Sequence, residues 1–122
     1  MYNNTANAFA AYQENSVLTA SSGKLLLMLY DGAIKFLKFA KISINDQNIE
    51  ATNKYLKKAQ RIITEFMCTL NMDIEISKSL YSLYEYMNYR LMQANIKKDN
   101  AMIDEVLDML IELRDTWEKA MA

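Results

Sequence analysis

The stretch Ile103-Asp104-Glu105-Val106-Leu107-Asp108-Met109-Leu110-Ile111-Glu112-Leu113-Arg114-Asp115-Thr116-Trp117 decides the fold. Ile103, Val106, Leu110, Leu113 and Trp117 recur three or four residues apart, which places them on one stripe of an α-helix. The pattern predicts a helix from about Asn100 to Ala120, with Asp99 as a good N-cap. Upstream the same period repeats three times. Leu26, Leu29, Ala33, Leu37, Ala40 and Ile44 mark a helix from about Ser22 to Ile44, with Ser21 or Ser22 as the cap. Leu56, Ala59, Ile63, Phe66 and Leu70 mark one from about Ile49 to Leu70. Ile76, Leu80, Leu83, Tyr84, Met87, Leu91 and Ala94 mark one from about Ile74 to Ile96. Asn45-Asp46-Gln47-Asn48, Asn71-Met72-Asp73 and Lys97-Lys98-Asp99 supply the polar breaks. Four helices of this length span roughly 30 Å each, and short links make sequential neighbours antiparallel. The expected fold is all-α: a single domain over residues 1–122, with an antiparallel up-down-up-down four-helix bundle (21–122) behind an N-terminal capping arm (1–20).

Composition excludes much chemistry. The 122 residues include no histidine, no proline, two glycines and one cysteine. Without histidine the chain lacks the usual general base and the commonest metal ligand. One cysteine forms no internal disulfide or thiolate cluster, and two isolated glycines make no phosphate loop. The longest apolar run, Leu25 to Tyr30, falls far short of the roughly 18 residues that cross a bilayer. Met1-Tyr2-Asn3-Asn4-Thr5 lacks the basic start of a secretory signal, so a cytoplasmic protein without membrane insertion is expected.

Charge is uneven. Residues 24–41 sum to +3 and residues 50–65 to +2, whereas residues 104–119 sum to −4. A phosphate-tracking surface needs clustered arginine and stacking rings, but the chain has three arginines and an acidic last helix, so no nucleic-acid partner is expected. Asp104, Glu105, Asp108, Glu112 and Asp115 lie opposite the apolar stripe of that helix. A di-iron bundle needs inward glutamates and a Glu-x-x-His element, so these carboxylates read as a solvated face. Cys68, near Lys57 and Arg61, has no base beside it. No catalytic constellation, cofactor or metal site is expected, and the chain reads as a non-enzyme.

The informative residues are those the core does not need. On the first helix Met28, Gly32, Phe39 and Ile42 fall off the stripe, with Lys35 among them. On the third, Tyr81, Glu85, Asn88 and Met92 form a line beside the stripe, and Tyr86, Tyr89 and Gln93 lie beyond it. Surplus apolar area marks a partner surface, and Tyr and Met suit one, since Tyr tolerates water and Met repacks around different shapes. Met28, Phe39, Tyr81, Tyr86, Tyr89 and Met92 are therefore the candidate residues of a groove for a partner helix. An empty apolar groove also invites a homodimer of the unliganded chain. Phe9, Tyr12, Val17 and Leu18, bulky residues in a polar segment, read as anchors that dock the arm as a cap.

Two runs also carry a resemblance. Tyr12-Gln13-Glu14-Asn15-Ser16-Val17-Leu18-Thr19-Ala20-Ser21, followed by Leu26-Leu27-Met28-Leu29-Tyr30-Asp31-Gly32-Ala33-Ile34, resembles the opening of the flagellar secretion chaperone FliS family. Leu80-Tyr81-Ser82-Leu83-Tyr84-Glu85-Tyr86-Met87-Asn88-Tyr89-Arg90-Leu91 with Ala94-Asn95 resembles its second signature, and Glu105-Val106 and Arg114-Asp115-Thr116-Trp117 fit its C-terminal pattern. The chain departs from the family at Ser22-Gly23-Lys24, where a proline and an acidic residue are frequent, so the helix start is expected to fray. Tyr89 stands where a basic residue is frequent before Arg90. The resemblance implies a cytoplasmic chaperone that binds the disordered C-terminal segment of flagellin, prevents premature polymerisation and delivers it to the export apparatus. That segment would fold into helices on the apolar surface, with no ATP and no covalent chemistry. The resemblance further implies that Phe9 and Tyr12 cap part of the site, and that an export-gate protein and flagellin-regulatory proteins are partners. The competing readings are a helical adaptor for another protein and a carboxylate-metal enzyme.

Overall fold

The computed structural model describes residues 16–121, and side chains from Gly23 onward. All regular structure among them is helical: α1 (Ser16–Asn45), α2 (Ile49–Cys68), α3 (Glu75–Lys97) and α4 (Asn100–Met121). Packing runs α1 on α2, α2 on α3, α3 on α4 and α4 back on α1, which leaves α1 diagonal to α3 and α2 diagonal to α4. With the short links between them, this is the expected up-down-up-down four-helix bundle.

The breaks work as the polar clusters predict. Asn48 Oδ1 accepts from the Ala51 N–H at 2.9 Å and caps α2, and Asp99 Oδ1 accepts from the Ala101 N–H at 2.8 Å at the start of α4. Gln47 and Lys98 take left-handed backbone, with φ of 58° and 52°. The start of α1 differs from expectation. It begins at Ser16, so Ser21 and Ser22 lie inside the helix and the arm boundary at residue 20 falls within it. A mid-helix glycine costs only about 1 kcal/mol against alanine and does not stop a helix without help from proline. A Cβ at Gly23 would meet only the flexible, exposed Met121 side chain of α4, which can move aside. The helix therefore runs through Ser22 rather than starting there. Phe9 and Tyr12 lie outside the described residues, as do the side chains of Val17 and Leu18.

The core follows the stripes, with two corrections. Ala33, Leu37, Leu56, Ile63, Leu91 and Leu110 are fully buried, but Ile76, expected inside, is 62% exposed, and Ser77 faces in at that turn. Tyr30, absent from the expected stripe, is fully buried. It sits in an aromatic layer at one end of the bundle that uses all four helices. Its ring stacks on Phe66 of α2 at 4.5 Å between centroids, and Phe66 packs on Tyr84 of α3 at 5.4 Å. The Tyr30 and Tyr84 hydroxyls hydrogen-bond at 2.6 Å across the diagonal, and Trp117 Nε1 of α4 donates to Tyr30 Oη at 3.1 Å. Burial pushes the Tyr30 phenol up to about 12, against the lowering effect of these two bonds, and raises Tyr84 well above its ordinary value. At the seams Arg114 Nε donates to Asp31 at 2.8 Å, and Lys41 pairs with Asp104.

Candidate partner-binding site

The outward face of α3 is built by its own sequence pattern. Ser77, Tyr84, Met87, Leu91 and Ala94 turn inward, so residues about half a turn away must face solvent. There the chain places Tyr81, Tyr86, Tyr89, Met92 and Ile96 among the charged Lys78 and Glu85, and all seven are exposed. Asn88, expected on the same line, is half buried in the α2–α3 seam. Its Nδ2 donates to Thr64 Oγ1 at 3.0 Å, and Gln60 Nε2 donates to its carbonyl at 3.3 Å.

A polar chain holds two of the tyrosines. Tyr86 Oη donates to Glu105 Oε2 at 2.6 Å, and Arg90 Nε donates to Glu105 Oε1 at 2.7 Å, tying α3 to α4. Arg90 Nη1 reaches Gln93 Oε1 at 3.1 Å, and Gln93 Nε2 donates to Tyr89 Oη at 2.9 Å. The Tyr86 bond, and then Arg90, hold the Glu105 carboxyl below the usual carboxylate range, and the same contact raises the Tyr86 phenol. Glu105 is thus a seam residue and not part of a purely solvated acidic face. Rings whose hydroxyls are already held lose less freedom when a partner lies on them. Beside Tyr86 an open depression of about 570 Å³ is lined by Lys78, Ser79, Ser82, Leu83 and Tyr86.

All six candidate groove residues face out, from 36% exposed for Phe39 to 60% for Met28, but they do not share one groove. Tyr81, Tyr86, Tyr89 and Met92 stand on α3, whereas Met28 and Phe39 stand on the diagonal helix α1. One straight helix cannot touch both sets. Gly32, grouped with Met28 by the wheel, faces α2 instead, where a Cβ would sit 3.6 Å from Ile62 Cδ1. Ile96, 74% exposed, is the residue the sequence reading missed. Its signal was its spacing, four residues after Met92 and seven after Tyr89.

Among the described residues no group of three or more His, Cys, Asp or Glu side chains could hold a metal ion, and no helix is long and apolar enough to cross a membrane. Cys68 is exposed at the last residue of α2.

A family model described as flagellar protein FliS matches residues 5–122. A Bacillus subtilis protein named flagellar secretion chaperone FliS is 47% identical over 115 residues, covering 94% of this chain and 86% of that protein. Its Salmonella typhimurium namesake is 34% identical and covers 94% and 90%. The Escherichia coli one is 31% identical and covers 88% and 82%. A crystal structure of a bacterial flagellar chaperone superposes with a TM-score of 0.78 over 97% of this chain and 98% of that one. At 22% identity it speaks to the fold.

Proposed function

Because the chain belongs to the FliS family of flagellar secretion chaperones, we propose that it binds the disordered C-terminal segment of flagellin in the cytoplasm. Held there, flagellin does not polymerise prematurely and is delivered to the flagellar export apparatus. The observation that carries this reading is the outward face of α3, where Tyr81, Tyr86, Tyr89 and Met92 stand uncovered. A segment that orders as an amphipathic helix can lay its apolar side on them. Ordering such a segment costs about 2–5 kcal/mol, so the bound stretch must be long. Capture of this kind needs no catalytic group or cofactor.

The arm belongs to the same reading. Phe9, Tyr12, Val17 and Leu18 cap the empty apolar surface, and self-association is the other way to cover it. Export-gate and flagellin-regulatory proteins remain the further partners.

Calorimetric titration with a flagellin C-terminal peptide tests the proposal. Saturable binding with a negative heat-capacity change is expected, and a flat titration overturns it. Deleting residues 1–18 should raise peptide affinity or dye binding. No change in either would mean that the arm caps nothing.

A further inference from the structure

A different side of the bundle carries surface that the α3 face leaves unused. Along α1, Met28, Lys35, Phe39 and Ile42 share an outward ridge, spaced 7, 4 and 3 residues apart. Met28 and Ile42, at 60% and 56% exposed, stand free at its ends. The ridge is roughly 21 Å long at 1.5 Å per residue, about four helical turns. Between its ends, Phe36 and Phe39 close the seam to α2 through Tyr55, with centroids 6.3 and 5.2 Å apart.

Each ring carries an ammonium. Lys35 Nζ lies 5.7 Å from the centre of Phe39, Lys54 Nζ 5.5 Å from Tyr55, and Lys58 Nζ 5.4 Å from Phe36. Among the described residues none of the ion pairs uses these three lysines, nor Lys38 or Lys57 beside them. Cation–π contacts steer the long side chains without neutralising them, so the seam presents apolar surface between rows of pre-positioned positive charge.

We propose that the α1–α2 seam is a second docking surface, and that its occupant is an amphipathic helix carrying carboxylates on both flanks of its apolar stripe. The apolar stripe would cover Met28, Phe39 and Ile42, and the carboxylates would reach Lys35, Lys54 and Lys58. Charge complementarity selects this occupant over three others. A second copy would bring the acidic α4 face, but the only large hydrophobic residue exposed on α4 is Met121 at its end, so the ridge would stay wet. Nucleic acid wants free ring faces and arginine forks, and here each ring already carries an ammonium and Arg61 is the only arginine on α1 or α2. An anionic membrane needs a broader apolar face than one interrupted ridge.

The test uses a synthetic 18-residue helical peptide with leucines along one stripe and glutamates on both flanks, beside its all-glutamine counterpart. One-to-one binding of the acidic peptide is expected, at least about tenfold tighter than the glutamine peptide. The triple variant Lys35→Gln/Lys54→Gln/Lys58→Gln should weaken it about tenfold, in line with a few-fold per exposed ion pair. The double variant Met28→Ser/Ile42→Ser should weaken it as well. These residues are all exposed, and thermal melts will confirm that each variant folds. The lysine variant should bind the flagellin peptide as before. If the flagellin titration fails while the acidic peptide binds here, the chaperone reading falls and this one stands. Equal binding of the glutamine peptide overturns the proposal. So does stronger binding to phosphatidylglycerol vesicles or oligo-dT, or a salt-sensitive dimer that masks the ridge in sedimentation.

Discussion

Helices α2 and α3 lie side by side in the bundle, and each buries a stripe of five residues. Their outward faces differ. On α2 the exposed positions are Lys57, Arg61, Glu65 and their neighbours, charged groups that water already satisfies. On α3 the corresponding arc carries Tyr81, Tyr89, Met92 and Ile96 around the charged Lys78 and Glu85. The helix with the cleaner division between apolar and charged sides turns solvated charges outward, and only Lys54 and Lys58 at its α1 edge border a proposed docking surface. The less cleanly divided helix carries surface that folding does not use, and a partner can.

The inward sides should therefore behave alike under mutation, and the outward sides should not. The largest effect belongs inside α2. Phe66→Ala removes the ring between Tyr30 and Tyr84 and should destabilise by about 3–5 kcal/mol in denaturant melts. Inside the layer it supports, Tyr30→Phe should cost about 1–3 kcal/mol, because it removes the hydroxyl that joins the Tyr84 phenol to the Trp117 N–H. Tyr84→Phe should cost less, since Tyr30 keeps Trp117. The buried phenol also sets an alkaline limit. Its folded value of about 12 exceeds the ordinary phenol value of 10.0, so between these the unfolded chain releases a proton that the folded chain keeps. The stability contribution is whole below pH 10 and is lost as pH rises toward 12. Alkaline melts of Tyr30→Phe should lack that part of the slope.

Outside, the two helices should part company. Tyr89→Ala and Met92→Ala on α3 should each weaken flagellin-peptide binding about tenfold, equivalent to about 1.4 kcal/mol, with little change in stability. Lys57→Ala on α2 should change stability by no more than about 0.5 kcal/mol and leave peptide binding as it was. If both helices respond alike in the titration, the α3 face is not the docking surface and the comparison collapses.

Most of the scaffold could be read from spacing. The cap at Asp99, the polar breaks, most of the four stripes and the outward placement of Tyr81, Tyr86, Tyr89 and Met92 follow from side-chain type and period alone. Tyr30 did not, because Leu26, Ala33 and Leu37 accept either Leu29 or Tyr30 as the intervening residue. A phenol goes inside only when hydrogen-bond partners await it, and those partners lie 54 and 87 positions along the chain. The grouping of Met28 and Phe39 with the α3 residues failed for a similar reason. A helical wheel ranks the faces of one helix and says nothing of which helix stands next to it. Several residues that carry the family resemblance also turn out to bind one another: Tyr30 with Trp117, Asp31 with Arg114, and Arg90 with Glu105. Part of what marks the family in the sequence is therefore its framework.

The smallest expected effect asks whether framework and surface are coupled on α3. Glu105 ties Tyr86 and Arg90 to α4, and Arg90 reaches Tyr89 through Gln93. Its carboxyl titrates below the ordinary range, so on acidification the unfolded chain takes up the proton first. The contribution is whole above the unfolded glutamate value of about 4.3 and disappears as pH falls through the folded one. Glu105→Gln should lower Tm by about 1–3 °C at neutral pH and differ little from the parent chain in acid. If the bonds also hold Tyr86 and Tyr89 ready for a partner, peptide affinity should fall in the same acidic window, and the Gln variant should bind more weakly at neutral pH. A change in Tm without a change in affinity would make Glu105 a seam residue alone. The tyrosines would then meet their partner unassisted, and the α3 face would differ from that of α2 in composition but not in order.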